Sequence, residues 1–140
     1  MAKKWARPKN GVKVSLELKF VGNVFSDFTN ILHLTTGPNG NYIDGSRNPA
    51  IFVYPNSRSL QIAANINGNW NYDFKTEEQP VNKWIKLTIS QILQNDQTYM
   101  YAIALCGNII HNITNEIPRA FPNVKGVRVR NRVRILSPLV

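Results

Sequence analysis

The chain has 140 residues, 43% of them hydrophobic and 18% charged, which matches one domain with material for a core and excludes a disordered tail. No apolar run is long enough to cross a bilayer as a helix, and the single cysteine excludes an internal disulfide, a CxxC metal site and a redox pair. The excess of 17 Lys and Arg over 8 Asp and Glu, a net +9, suits an acidic partner without choosing among a sulfated or sialylated glycan, an anionic membrane and nucleic acid.

The start, "MAKKWARPKNG", is basic but has neither an apolar h-region nor a small-residue cleavage site, so residues 1–11 read as a basic arm and not as a signal peptide. "KVSLELKF" then sets Val14, Leu16, Leu18 and Phe20 on one face and Lys13, Ser15, Glu17 and Lys19 on the other, a half-buried strand. "NILHLTT" and "AIFVY" are β-branched, aromatic and leucine-rich stretches bounded by Gly, Pro and Asn, and they read as strands too. Between them, "PNGNYIDGSRN" is a long polar loop.

"SLQIAANI" runs into Asn67-Gly68, a strong hairpin dipeptide, and "NWNYDF" returns with Trp70, Tyr72 and Phe74 in alternation. Shared parity puts Trp70 in the core with Tyr72 and Phe74 and leaves Asn69, Asn71 and Asp73 on the outward face. "KWIKLTISQIL" has a weak helical stripe, but Ile85, Leu87 and Ile89 fit the strand period better, and Thr88 and Ile89 are β-branched. "TYMYAIALC" and "NIIHNIT" follow, joined through Cys106-Gly107-Asn108, and "VKGVRVRNRVRIL" alternates Val127 and Val129 with Arg128 and Arg130. Short strands with turns between them predict an all-β, antiparallel β-sandwich as one domain over residues 1–140. The first and last strands are expected to pair, with Glu17 near Arg128 or Arg130.

"FTNILHLTTG", "DGSRNPAIFVYP", "SLQIAANINGN", "NWNYDF", "PVNKWIKLTISQ" and "YMYAIALCGNIIHNI" succeed one another in an order that resembles the concanavalin A-like lectin/glucanase jelly roll. The order is similar in particular to the laminin-G-like or galectin-like modules of invertebrate extracellular and skeletal-matrix proteins, over roughly residues 12 to 130. The resemblance implies a non-enzymatic, lectin-like module that binds carbohydrate in an extracellular setting; the absence of a signal-peptide pattern leaves the cytoplasm open. The cysteine pair that such modules carry across the hairpin spanning residues 63–73 is missing. The galectin pattern of a His-x-Asn-x-Arg strand and a Trp-x-x-Glu-x-Arg strand is not met around His33 and Trp70.

The candidate ligand-binding residues are Asn69, Asn71 and Asp73, whose amides and carboxylate suit sugar hydroxyls, with Asp44 and Arg47 of the long loop. Asp44 alone is too few oxygens for calcium. Arg128, Arg130 and Arg132 form a candidate anion-binding stripe, or else a charged edge strand that resists aggregation. His33 and His111 sit in alternating apolar strands, where a histidine is more often structural than a metal ligand, and Cys106 reads as a buried small hydrophobe. Glu77 and Glu78 are adjacent and point apart, so the carboxylate pair of a glycoside hydrolase is missing and no catalytic residue is expected. No metal and no cofactor are expected.

The expected partner is a glycan or acidic polysaccharide. A structural or assembly module with protein partners or self-association is the alternative, and charge-driven binding of acidic polymers is a third. Nucleic acid is disfavoured because Trp5 is the one aromatic beside the basic ends. Residues 112–114, "NIT", are a glycosylation sequon in a secreted chain. An exposed aromatic platform beside Asn, Asp and Arg would separate the lectin from the assembly module.

Overall fold

A computed structural model of the chain describes residues 11–21, 24–35 and 47–119 and the backbone of 133–135. These residues form the strands β1 (Gly11–Lys19), β2 (Thr29–His33), β3 (Ala50–Val53), β4 (Leu60–Ile66), β5 (Asn69–Lys75), β6 (Trp84–Leu93), β7 (Tyr99–Leu105), β8 (Asn108–Asn115) and β9 (Val133–Ile135). One sheet has the order β8-β7-β6-β1-β9 and the other β2-β3-β4-β5. All strand pairs within them are antiparallel. The fold is the all-β, antiparallel sandwich that the alternation predicts.

The two-residue period of each strand sends every second side chain inward. Val14, Leu16 and Leu18 of β1 lie opposite Ile89, Leu87 and Ile85 of β6, and all six are buried. Ile103 and Tyr101 of β7 continue that face. Ile51 and Val53 of β3 and Leu60, Ile62, Ala64 and Ile66 of β4 fill the core from the other sheet. Burying one such leucine or isoleucine contributes about 1.5–3 kcal/mol. The residues of the ambiguous segment "KWIKLTISQIL" are therefore a strand because Ile85, Leu87 and Ile89 meet a partner with the same period.

Asn67 and Gly68 have φ of 50° and 81°. Both central residues of the turn are left-handed, as a two-residue hairpin matched to strand twist requires, and Ile66 pairs with Asn69 across it. The register shifts between Ala64 and Ile66, since Ala64 pairs with Tyr72. This irregularity breaks the period at the start of β5. Trp70, expected in the core by parity with Tyr72, is 40% exposed instead.

Cys106 also departs from expectation. It sits with φ 50° in the turn between β7 and β8, beside Gly107 at 85°, and the turn holds it out in solvent. The first and last strands do pair, but the partner segment is β9, with Glu17 across from Arg134 rather than Arg128 or Arg130. Val127, Arg128, Val129, Arg130 and Arg132 lie outside the described residues, as does Asp44.

At one end of the sandwich the core turns polar. Gln91, Asn115, Asn48 and Asn65 are buried. Asn115 Nδ2 donates to Gln91 Oε1 at 2.6 Å and to the Asn65 carbonyl at 3.4 Å. Its Oδ1 accepts from the Asn67 and Ile117 amides at 3.0 and 3.2 Å. Gln91 Nε2 donates to the Arg119 carbonyl at 2.7 Å, and Asn48 Oδ1 accepts from the Asn65 amide at 3.2 Å. The side chain of Asn115 thus joins β6 and β8 of one sheet to β4 and its turn in the other.

Asn115→Ala leaves several of these buried groups unpaired, at about 1–3 kcal/mol for each such group before relaxation. The expected loss is about 2–3 kcal/mol in chemical denaturation, against under about 0.5 kcal/mol for the exposed Asn112→Ala. Equal effects of the two variants would remove Asn115 from its place as the tie between sheets.

Candidate functional site

The strands that bury Ile51, Val53, Ile62 and Ala64 turn their alternate residues outward. Across β3, β4 and β5 these residues form rows: Phe52, Gln61 and Lys75 in one, and Ala50, Ala63 and Asp73 in the next. Asn71 lies two residues before Asp73 on the same strand. The outer face of the four-stranded sheet therefore carries aromatic, amide and charged groups over a floor of two alanines.

Arg47 enters this face from the long polar loop. Its Nη1 donates to Asn71 Oδ1 at 3.1 Å, and its guanidinium carbon lies 4.8 Å from the centre of the Phe52 ring. The side chain so reaches from Asn71 on β5 to Phe52 on β3. Phe28, Arg47, Phe52, Gln61 and Asn71 line a groove of about 270 Å³. Phe28 is 52% exposed, and its ring meets the Tyr54 ring at 5.0 Å. Lys75 Nζ lies 4.5 Å from the centre of the Tyr54 ring, and the His33 ring lies 6.3 Å from Phe52. Gln61 Nε2 donates to Asp73 Oδ2 at 2.8 Å.

Burial pushes the Tyr54 hydroxyl above its ordinary pKa, the negative charge of Asp73 pushes it further, and a hydrogen bond with Gln61 opposes them. Tyr54 is therefore a proton donor, not a phenolate, at neutral pH.

Of the residues singled out from sequence, Asn71 and Arg47 come together in one hydrogen bond, and Asp73 stands beside them on β5. Asn69 does not join them as a groove residue: its Oδ1 accepts from the Asn71 amide at 3.0 Å, which is turn chemistry. The site residues the sequence reading missed are Phe28, Phe52, Tyr54, Gln61 and Lys75. The signal for two of them lay in "AIFVY", where Phe52 and Tyr54 alternate with the buried Ile51 and Val53. Among the described residues, no three His, Cys, Asp or Glu side chains gather as a metal site.

His111 lies on the inner side instead. It stacks on Phe74 at 4.5 Å and on Tyr72 at 5.8 Å, and its Nε2 is 2.7 Å from the Tyr72 hydroxyl. These contacts join the edge strand β8 of one sheet to the edge strand β5 of the other. Tyr101, fully buried, meets Tyr72 edge-on at 6.4 Å.

No family model and no curated protein matches the chain. Among solved structures it is similar to an endo-β-1,4-glucuronan lyase from the fungus Trichoderma reesei, with a TM-score of 0.50 and 10% identity over 81% of this chain and 52% of that one. The chain thus spans about half the length of that structure. At this identity the likeness concerns the fold, and it fits the concanavalin A-like sandwich; the invertebrate matrix setting has no support in it. It also corrects the expectation of a non-enzyme. A structure that shares this architecture is an enzyme, so the sandwich gives no reason against catalysis, and the missing carboxylate pair speaks to hydrolysis alone.

Burial holds the His111 imidazole below its ordinary value of 6.5. The unfolded chain then binds a proton that the folded chain does not, in the window just below 6.5. Stability accordingly rises with pH through that window and is lost as pH falls. Melting temperatures from pH 7.5 down to 5 should drop more steeply for the native chain than for His111→Gln. Parallel pH profiles would show that His111 does not set this dependence.

Proposed function

We propose that the outer face of the four-stranded sheet binds an acidic polysaccharide. The observation that carries this reading is Arg47, fixed by Asn71 on one side and by the Phe52 ring on the other while it lines the groove. A guanidinium so oriented suits a carboxylate or sulfate through paired hydrogen bonds. Phe28 and Phe52 offer apolar faces to a sugar ring, and Gln61, Asn71 and Asp73 offer donors and acceptors to its hydroxyls. This is the aromatic platform beside Asn, Asp and Arg that favours glycan binding over assembly.

A second reading follows from Tyr54 and His33 on the same face: cleavage of a uronate chain by elimination. A base takes the proton from the carbon next to the carboxylate, the bond to the leaving sugar oxygen breaks, and an acid returns a proton to that oxygen. In this reading Arg47 and Asn71 would hold the carboxylate, His33 would serve as the base, and Tyr54, kept protonated, as the acid. The glucuronan lyase of similar fold supports testing a polyuronate first.

Binding of glucuronan and of a neutral β-glucan is measured for the native chain and for Arg47→Gln, with a single-stranded oligonucleotide as competitor. Glucuronan affinity should fall about tenfold or more in Arg47→Gln, as for loss of a charge-assisted pair, and should weaken with salt. Arg128, Arg130 and Arg132 changed together to Ser report the contribution of general charge. Ultraviolet absorbance of unsaturated sugar ends, accumulating with glucuronan and lost in Tyr54→Phe, is the readout of elimination. Equal glucuronan affinity of the native chain and Arg47→Gln would reject the groove as the binding site.

A further inference from the structure

The groove beside Arg47 is small, at about 270 Å³, whereas clefts for drug-sized ligands run to about 300–1,000 Å³. It accommodates one ring or one charged group of a chain, and a longer ligand must continue along the face. The outer face holds a second cation over a second aromatic ring: Lys75 over Tyr54 at 4.5 Å, next to Arg47 over Phe52 at 4.8 Å. Phe52 and Tyr54 are two residues apart along one extended segment, hence about 6.5–7 Å apart at the backbone. Phe28 belongs to both stations, since it lines the groove and packs on the Tyr54 ring at 5.0 Å.

Resting on the acidic-polysaccharide reading, we propose that Lys75, Tyr54 and Phe28 form a second subsite, so that the face recognises anionic groups on two successive sugars of one chain and not an isolated charge. The two cations belong to different elements, β5 and the loop before β3, and each has its own aromatic support. The Lys75 ammonium is drawn to the Tyr54 ring face by cation–π attraction. Among the described residues, the acidic group on this face is Asp73, and Gln61 donates to one of its oxygens at 2.8 Å. That bond holds one Asp73 oxygen toward β4 and leaves its other oxygen to accept from a sugar hydroxyl. Neutral chains gain the aromatic contacts alone. A chain charged on alternate or rarer sugars meets one station and leaves the other unfilled.

Calorimetric titration of a galacturonic acid monomer, dimer and tetramer against the native chain, Lys75→Gln, Tyr54→Leu and Arg47→Gln separates the possibilities. In the native chain, affinity should rise roughly five- to tenfold from monomer to dimer, the scale of one added partly desolvated charge contact. Lys75→Gln should bring that ratio to about one, and Tyr54→Leu, which keeps apolar bulk but removes the ring, should lower it severalfold. Arg47→Gln should weaken every ligand, the monomer included. If Lys75→Gln keeps the full dimer gain, the second subsite is wrong while the groove reading survives. If no uronate binds the native chain, the groove reading falls and the subsite with it. All three altered side chains lie on the outer face, and unchanged melting temperatures identify a loss as recognition and not unfolding.

Discussion

The side chain of Asn115 is the tie on which the arrangement of the two sheets depends. It contacts Gln91 of one sheet, the Asn65 carbonyl of the other, and the amide of Asn67 at the head of the β4–β5 turn. Hydrophobic burial is non-directional, and the leucine and isoleucine rows would tolerate a range of sheet offsets. Buried amides do not, because each displaced partner leaves a desolvated polar group. The amide cluster around Asn115 therefore fixes where the hairpin of β4 and β5 sits against β8. The position of β5 in turn sets where Asn71 and Asp73 stand on the opposite face of the same sheet.

The His111 stack holds the other side of that arrangement. Tyr72 and Phe74 face inward from β5 to meet His111 on β8, while Asn71, Asp73 and Lys75 face outward from the same strand. One edge strand thus serves both the closure of the sandwich and its outer surface. Arg47 meets the Asn71 amide at one end and the Phe52 ring at the other.

Much of this was legible in the residues. The period of two in "KVSLELKF" and in "KWIKLTISQIL" identifies strands because a sheet has no other way to bury one face. Asn67-Gly68 identifies its turn because few residue pairs accept two left-handed conformations in succession. Trp70 was misplaced because a register shift one residue away breaks the parity on which its placement relied. Cys106 was misplaced because an average burial tendency gives way when a two-residue turn claims the position. The contact of Arg47 with Asn71 spans 24 residues and two intervening strands, and no local pattern encodes it. Asn71 and Arg47 could each be nominated by residue type, but their meeting, and the Phe52 ring beneath it, required the sheet order.

The alternation of inner and outer rows has a consequence for how such a chain changes over time. Ile51 and Val53 answer to the core, while Phe52 between them answers to whatever approaches from outside. Substitutions in the outer rows leave the inner packing intact, so surface chemistry can drift or be rewritten with little cost to folding. Inner rows, for their part, accept exchanges among apolar residues of similar volume. Two chains can then differ at nearly every position and share one architecture, as the 10% identity at a TM-score of 0.50 illustrates. Ala50 and Ala63 are where the separation narrows: they stand in an outward row yet are fully buried, so a larger side chain at either position disturbs packing and surface together.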